Sequence, residues 1–142
     1  MLDHSLVFDE KDRVGSWVAE RVNQLASWGD YYAMGAELNG DLVSGVVYNN
    51  VGASNATCHI AVSKPTKAFS TLLDHAFVYA FKQLGLKRLT AFVESTNQKS
   101  LKIVDHIGFV EEGVMHQAGD NGQDVIILVL WPGNYRKGRR NG

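Results

Sequence analysis

Four side chains are candidates for a general base: His59, Glu94, Glu112 and His116. Histidine titrates closest to neutral pH, so His59 is the first candidate for a general base. Neighbouring residues of a strand face opposite sides. His59 lies in a predicted strand, Thr57–Val62, and it can act as a base only if its side of that strand faces a cleft. For the same reason only one of Glu111 and Glu112 can enter a cleft. A structural histidine, bonded to a neighbouring side chain, is the alternative for His59.

The single cysteine, Cys58, is a weak candidate for a nucleophile. A nucleophilic cysteine needs a base beside it, and the adjacent His59 faces the other side of the strand. We therefore interpret Cys58 as a core residue. One cysteine cannot form an internal disulfide, and no Cys/His cluster has the spacing of a zinc site, so we expect no metal.

Two more polar side chains, Asn97 and Ser100, lie in the stretch Lys87–Gly113. Alternating apolar residues predict a strand over 89–93, and the polar run after it offers Ser95 or Thr96 as a helix N-cap. A short helix should follow, ended by Gly108. Its apolar face is marked by spacings of three: Leu101, Val104 and Ile107.

The remaining pattern predicts the elements that must position these residues. We expect a short strand at 5–8 and an amphipathic helix from Asp9 or Glu10 to about Ser27. An Asn-Gly turn should join strands 31–38 and 42–48. A core helix over 69–84, ended by Gly85, and a central strand over 125–131 complete the chain. The order β-α-β-β-β-α-β-α-β-β indicates an α/β (α+β) domain on a mixed sheet.

Composition narrows the class of protein. The 142 residues are 45% hydrophobic, which suits one domain, here residues 1–135. Fourteen basic and 15 acidic residues give a net charge of -1, so nucleic-acid binding is supported only by a basic tail at 136–142. We interpret that tail as a frayed terminus. No apolar run reaches the roughly 18 residues of a membrane span and no signal peptide is evident, so we expect a cytoplasmic protein.

The motif Asn97-x-x-Ser100, followed by Ile107-Gly108-Phe109 and Glu112-Gly113, resembles the signature of the GNAT N-acetyltransferase superfamily. The resemblance is closest to ribosomal-protein-type and phage-encoded members and extends from about Tyr31 to Trp131. It implies a single-domain GNAT fold with a mixed, mostly antiparallel sheet. It also implies acetyl-CoA as cofactor and a primary amine as acceptor, on a protein N-terminus, a lysine or a small molecule. The chain would be a monomer or a homodimer, with strand exchange or edge pairing through 125–131 as a route to a dimer.

The resemblance also implies where acetyl-CoA binds, in the gap between the strands at 57–62 and 87–93. The pantetheine arm would bond to the backbone of Ala61, Val62 and Ser63, and Asn97 would contact it from the other side. The diphosphate is expected at the N-terminus of the 69–84 helix, where the dipole favours an anion. Side chains that could hold it are Lys64, Thr66, Lys67 and Ser70. Ser100 matches the proposed proton donor of the N-x-x-S branch and would also lie at the cofactor.

The sequence differs from the family pattern in two places. Residues 63–70 contain no glycine, whereas most relatives have a glycine-rich loop that lets phosphate approach the backbone. Val104 stands where many relatives have a tyrosine acid. Two functions therefore remain open: an acetyl-CoA-dependent N-acetyltransferase using Ser100, His59 or Glu112, and a catalytically degenerate GNAT-fold binding or structural module, phage-associated in origin.

Overall fold

A computed structural model describes residues 4–136. The chain divides into two compact units, Met1–Leu86 and Lys87–Gly142. The predicted tail lies outside the described residues except for Arg136. The predicted order of strands and helices is confirmed from the first strand to the last. No helix among residues 4–136 is long and apolar enough to cross a membrane.

The first unit is a four-stranded antiparallel sheet with one helix on each face. Its strands lie in the order β1-β2-β3-β4. Val47 packs in a cluster with α1 residues, whereas the adjacent Tyr48 donates a hydrogen bond to the Ala76 carbonyl oxygen of α2 at 2.8 Å. The two helices therefore lie on opposite faces. The elements are β1 (His4–Val7), α1 (Lys11–Val22), β2 (Tyr31–Leu38), β3 (Asp41–Asn49), β4 (Asn55–Val62) and α2 (Lys67–Val78), which continues as a π-helix, Tyr79–Gln83.

Two glycines let α1 lie close to this sheet. Gly35 and Gly45 are paired across β2 and β3. A Cβ on Gly45 would come within 2.7 Å of a Val18 methyl carbon, and one on Gly35 within 3.1 Å of a Val14 methyl carbon. Side chains at either position would push the helix away. The hairpin beside them turns at Asn39 and Gly40, with φ of 53° and 88°, as the Asn-Gly pair predicts.

The second unit contains a three-stranded antiparallel sheet in the order β5-β7-β6. Its middle strand, β7, is paired on both edges, as its uninterrupted apolar run predicts. This corrects the suggestion of edge pairing through 125–131, because β7 has no free edge for a second chain. The elements are β5 (Arg88–Glu94), α3 (Gln98–Ile107), β6 (Val110–Met115), β7 (Val125–Leu130) and a 3-10 turn, Pro132–Asn134.

Several element boundaries differ from those predicted, three of them as follows. Helix α1 ends at Val22, because Asn23 adopts a left-handed conformation (φ 60°), and Leu25 beyond it is 93% exposed. Asn97, rather than Ser95 or Thr96, is the N-cap of α3. The predicted 69–84 helix is α-helical only to Val78, where the π-helix begins.

Candidate functional site

The first turn of α2 is uncapped and positively charged. Its N-cap, Thr66, has an extended backbone and makes no capping bond, and the turn contains no acidic side chain. The Thr66 hydroxyl is buried and has no hydrogen-bond partner among the described residues. Lys64 and Lys67 are exposed on either side of it. Free helix N–H groups, the helix dipole and two ammonium groups together favour an anion here.

The end of β4 leads directly into this helix through a four-residue connection. Val62 and Ala61 are paired with Ser44 and Gly45 of β3. Ser63 donates both its backbone N–H (2.8 Å) and its hydroxyl (3.2 Å) to the carbonyl oxygen of Val43. These bonds hold the start of the connection against β3. They also satisfy the Ser63 backbone N–H, so a ligand would have to donate a hydrogen bond to the Ser63 carbonyl oxygen.

In the second unit, Asn97 and Ser100 lie together at the start of α3. The Asn97 side-chain oxygen accepts the Ser100 backbone N–H at 3.2 Å. This is the bond of an N-cap, and it satisfies one of the four amides that a helix start leaves unpaired. The Ser100 hydroxyl is half-buried and has no hydrogen-bond partner within residues 4–136, so it is not bonded back to a helix carbonyl.

Glu112 lies at a different place from this pair. It is the extra residue of a bulge in β6, and its two oxygens accept from the Arg88 guanidinium at 2.8 and 2.9 Å. The bidentate bond lowers the pKa of Glu112 and keeps it ionised. Arg88 begins β5 whereas Glu94 ends it, so the ion pair is about 20 Å from the Asn97 end of the unit, at roughly 3.3 Å per residue.

His59 is held in the first unit between Trp28 and Asn49. Its Nε2 lies 2.8 Å from the Asn49 side-chain oxygen, and its ring centroid is 4.6 Å from that of Trp28. With that oxygen as acceptor, Nε2 carries the proton. Burial lowers the pKa of His59 to about 4, so the ring is neutral at physiological pH. These contacts are those of a structural histidine, and the catalytic assignment of His59 stays a prediction.

Two of the other candidates lie near the Asn97 end of the second unit. Glu94 accepts a hydrogen bond from the Gln123 side-chain amide, and its carbonyl oxygen accepts the Asn97 N–H at 2.9 Å. The exposed His116 lies 3.3 Å from Asp124. The pKa of Asp124 is lowered chiefly by the Gln117 backbone N–H. The structure therefore brings Glu94, rather than Glu112, toward Ser100.

Cys58 is buried, and burial raises the pKa of its thiol well above the usual range. A thiol that stays protonated is a poor nucleophile, which agrees with its interpretation as a core residue. Within residues 4–136 no group of three or more His, Cys, Asp or Glu side chains could hold a metal ion.

By sequence, the chain matches no family model and no curated protein. Solved structures match it closely in fold. A variant of the spermidine N-acetyltransferase SpeG from Vibrio cholerae superposes with a TM-score of 0.74 at 18% identity, covering 94% of this chain and 96% of that one. RimJ from Mycobacterium smegmatis, in complex with CoA-disulfide, gives a TM-score of 0.70 at 17% identity over 97% and 86% of the two chains.

The chain has the GNAT fold. The predicted fold class is thereby confirmed, and the structural neighbours are acetyltransferases. A dodecameric form of the Vibrio cholerae enzyme is also similar, with a TM-score of 0.72 at 18% identity over 90% and 93% of the chains. At these identities the likeness defines the fold, and the chemistry has to be argued from the side chains.

Proposed function

We propose that the protein is an N-acetyltransferase that moves the acetyl group of acetyl-CoA to a primary amine. The observation that carries the proposal is the uncapped first turn of α2, where the buried Thr66 hydroxyl, without a partner among residues 4–136, lies between Lys64 and Lys67. Buried polar groups are nearly always satisfied, so an unsatisfied hydroxyl beside two lysines at a helix N-terminus supports an anion as its partner. The GNAT fold and the acetyltransferase neighbours, one of them in complex with CoA-disulfide, support the CoA diphosphate as that anion.

The side chains present fit this cofactor. Lys64, Lys67 and the Ser70 hydroxyl can replace the missing glycines, because ammonium groups attract phosphate without close approach of the backbone. The pantetheine arm would use backbone groups of Ala61, Val62 and Ser63. Acetyl-CoA supplies the activated thioester. This chain's own residues orient it and accept or donate protons.

Ser100 is the proton donor that we propose for the departing thiolate. Its hydroxyl has no hydrogen-bond partner within residues 4–136, and the Asn97 cap fixes the backbone at Ser100. A positioned donor of this kind contributes roughly 10²–10⁴ in rate. Deprotonation of the amine through water needs no dedicated base, although Glu94 lies at the same end of the unit.

Calorimetry with acetyl-CoA and CoA tests the cofactor. We expect micromolar binding, weakened about tenfold in Lys67→Ala by the loss of one charged contact. Lys102→Ala, an exposed lysine of α3, is the matched control and should bind normally. Absence of heat at millimolar CoA would overturn the proposal.

Turnover is measured as thiol release with polyamine, lysine and peptide N-terminal acceptors. Ser100→Ala should lower kcat while leaving CoA affinity intact. Tight CoA binding without release from any amine would instead establish the alternative, a degenerate GNAT-fold module. That alternative is favoured by Val104, which is buried where many relatives have a tyrosine.

A further inference from the structure

A pocket of about 480 Å³ opens in the first unit, away from the residues assigned above. Its volume falls within the roughly 300–1,000 Å³ of small-molecule sites. Helix α2 contributes to the site proposed for CoA with its first turn, but to this pocket with its last turn and the π-helix. Lys67 and Tyr79 are twelve positions apart, which separates the two places by about 18 Å along the helix axis. The walls are formed by Phe8, Lys11, Tyr31, Tyr32, Ala33, Met34, His75, Val78, Tyr79 and Gln83.

The pocket exists because β1 covers only part of β2. The two strands pair from His4 with Leu38 to Val7 with Gly35, and the chain then turns into α1. Residues 31–34 of β2 therefore have no strand beside them on the β1 side in the described part of the chain. The π-helix forms the opposite wall through Tyr79 and Gln83. Such helices are rare and frequently lie at functional sites.

Four polar side chains of the pocket have no hydrogen-bond partner for their side-chain donors among the described residues, whereas the Tyr31 hydroxyl donates to Asp12 Oδ1 at 2.6 Å. Lys11 forms no ion pair within residues 4–136, and its ammonium nitrogen lies 4.7 Å from the centre of the Tyr31 ring. The Tyr32 and Tyr79 hydroxyls and the Gln83 amide likewise have no hydrogen-bond partner among the described residues. No acidic side chain lines the pocket. One cation and three neutral groups that can donate hydrogen bonds line the same pocket, a combination that suits an oxyanion.

The rest of the lining is apolar and largely aromatic. Phe8 and Val78 are each 54% exposed, an unusual exposure for large apolar side chains on neighbouring elements. The Tyr32 and Tyr79 rings are 5.5 Å apart, edge to face, and the Phe8 and His75 rings are 5.6 Å apart. A flat apolar body would cover these surfaces and exclude water from them.

We infer that this pocket is a second ligand site, for a small aromatic carboxylic acid. Its carboxylate bonds to Lys11, Tyr32, Tyr79 and Gln83, and its ring packs against Phe8, Met34 and Val78. Binding at this site requires no acetyl-CoA, so its test is independent of the acetyltransferase proposal.

The test is a titration of the full-length protein with 2-naphthoate, followed by amide chemical shifts in NMR. We expect saturable shifts at residues 31–34 and 75–83, unchanged when CoA is present in excess. The neutral analogue 2-naphthamide should bind about tenfold more weakly, since it lacks a charge-assisted hydrogen bond. Lys11→Met keeps the aliphatic stem and should produce the same tenfold loss for naphthoate.

Two variants serve as controls for the pocket. Lys82→Met removes an exposed charge from the π-helix outside the lining and should leave binding unchanged. Val78→Trp places a larger side chain in the pocket from an exposed position and should abolish naphthoate binding. The same spectra report whether each variant is folded. Equal affinity for acid and amide, indifference to Lys11→Met, or shifts that follow protein concentration instead of naphthoate would each overturn the inference, the last by showing that a second copy covers this face.

Discussion

At the scale of single residues, the contacts of His59 determine how it titrates. The ring lies against Trp28 with Nε2 bonded to Asn49, and burial lowers the pKa of His59 from 6.5 to about 4. The sequence placed His59 on the correct strand but did not distinguish a general base from a structural histidine. It could not show the partner, because Asn49 belongs to another strand and Trp28 to a loop.

We therefore predict a histidine-dependent loss of stability in mild acid. The unfolded chain binds a proton on His59 below pH 6.5, whereas the folded chain binds it only near pH 4. The free energy of unfolding should consequently fall as the pH is lowered between these values, by up to about 3 kcal/mol. Urea denaturation from pH 7 to 4.5 measures this slope. His59→Gln should flatten it, while the exposed His106→Gln should not; an unchanged slope in His59→Gln would contradict the assignment.

Asn97 has a structural role that the motif did not reveal. The signature indicated a ligand for the pantetheine arm, and Ser95 or Thr96 for the cap, yet the Asn97 oxygen caps α3 itself. Several adjacent residues here have the right chemistry for a cap. Backbone geometry decides among them, and local composition does not encode it.

Asn97→Ala should therefore cost about 1 kcal/mol of stability, and Asn97→Ser, which keeps a capping oxygen, much less. If the Asn97 amide also contacts the cofactor, Asn97→Ser will weaken CoA binding in calorimetry while remaining stable. Equal stability of the alanine variant and the native chain would show that the cap contributes nothing.

At the scale of elements, the contact between α1 and its sheet depends on two small residues. The Asn-Gly pair predicted the turn and the two strands, β2 and β3, that it joins. Nothing local indicated that Gly35 and Gly45 would pair beneath the same helix, since their partnership depends on register and tertiary packing.

Gly45→Ala should destabilise the protein by about 2 kcal/mol, because the new methyl group would overlap Val18. Gly52→Ala is the matched control, as its Cβ would meet nothing nearer than a carbonyl oxygen at 3.6 Å. Chemical denaturation compares the two. A Gly45→Ala chain as stable as Gly52→Ala would mean that α1 moves without cost.

At the scale of the whole molecule, element order was predictable and the ligand sites were only partly so. Strand and helix periods differ along the chain, so the order of elements follows from the sequence alone. The positive α2 terminus was also foreseeable, because Lys64 and Lys67 flank one helix start. The 480 Å³ pocket was not, because its walls come from three distant segments and share no spacing.

The cofactor proposal predicts a stabilisation of the whole fold. CoA at a hundred times its dissociation constant should raise the free energy of unfolding by about 2.7 kcal/mol. Thermal denaturation with and without CoA measures it. Duplex DNA should give no shift at physiological salt, in keeping with a net charge of -1. Stabilisation by DNA alone would restore the nucleic-acid hypothesis for the basic tail.

The π-helix at Tyr79–Gln83 bears on how this chain tolerates changes in length. Its Tyr79 carbonyl oxygen accepts from the Leu84 N–H, five residues on, so the turn contains one residue more than an α-helix would use. Deleting Lys82 should convert this turn to ordinary α-helix. The orientation of Gly85 and β5 should stay unchanged. The deletion variant should fold yet lose 2-naphthoate, since Tyr79 and Gln83 would be turned to new directions. The loss of a single codon would then convert a chain that has this pocket into one that lacks it.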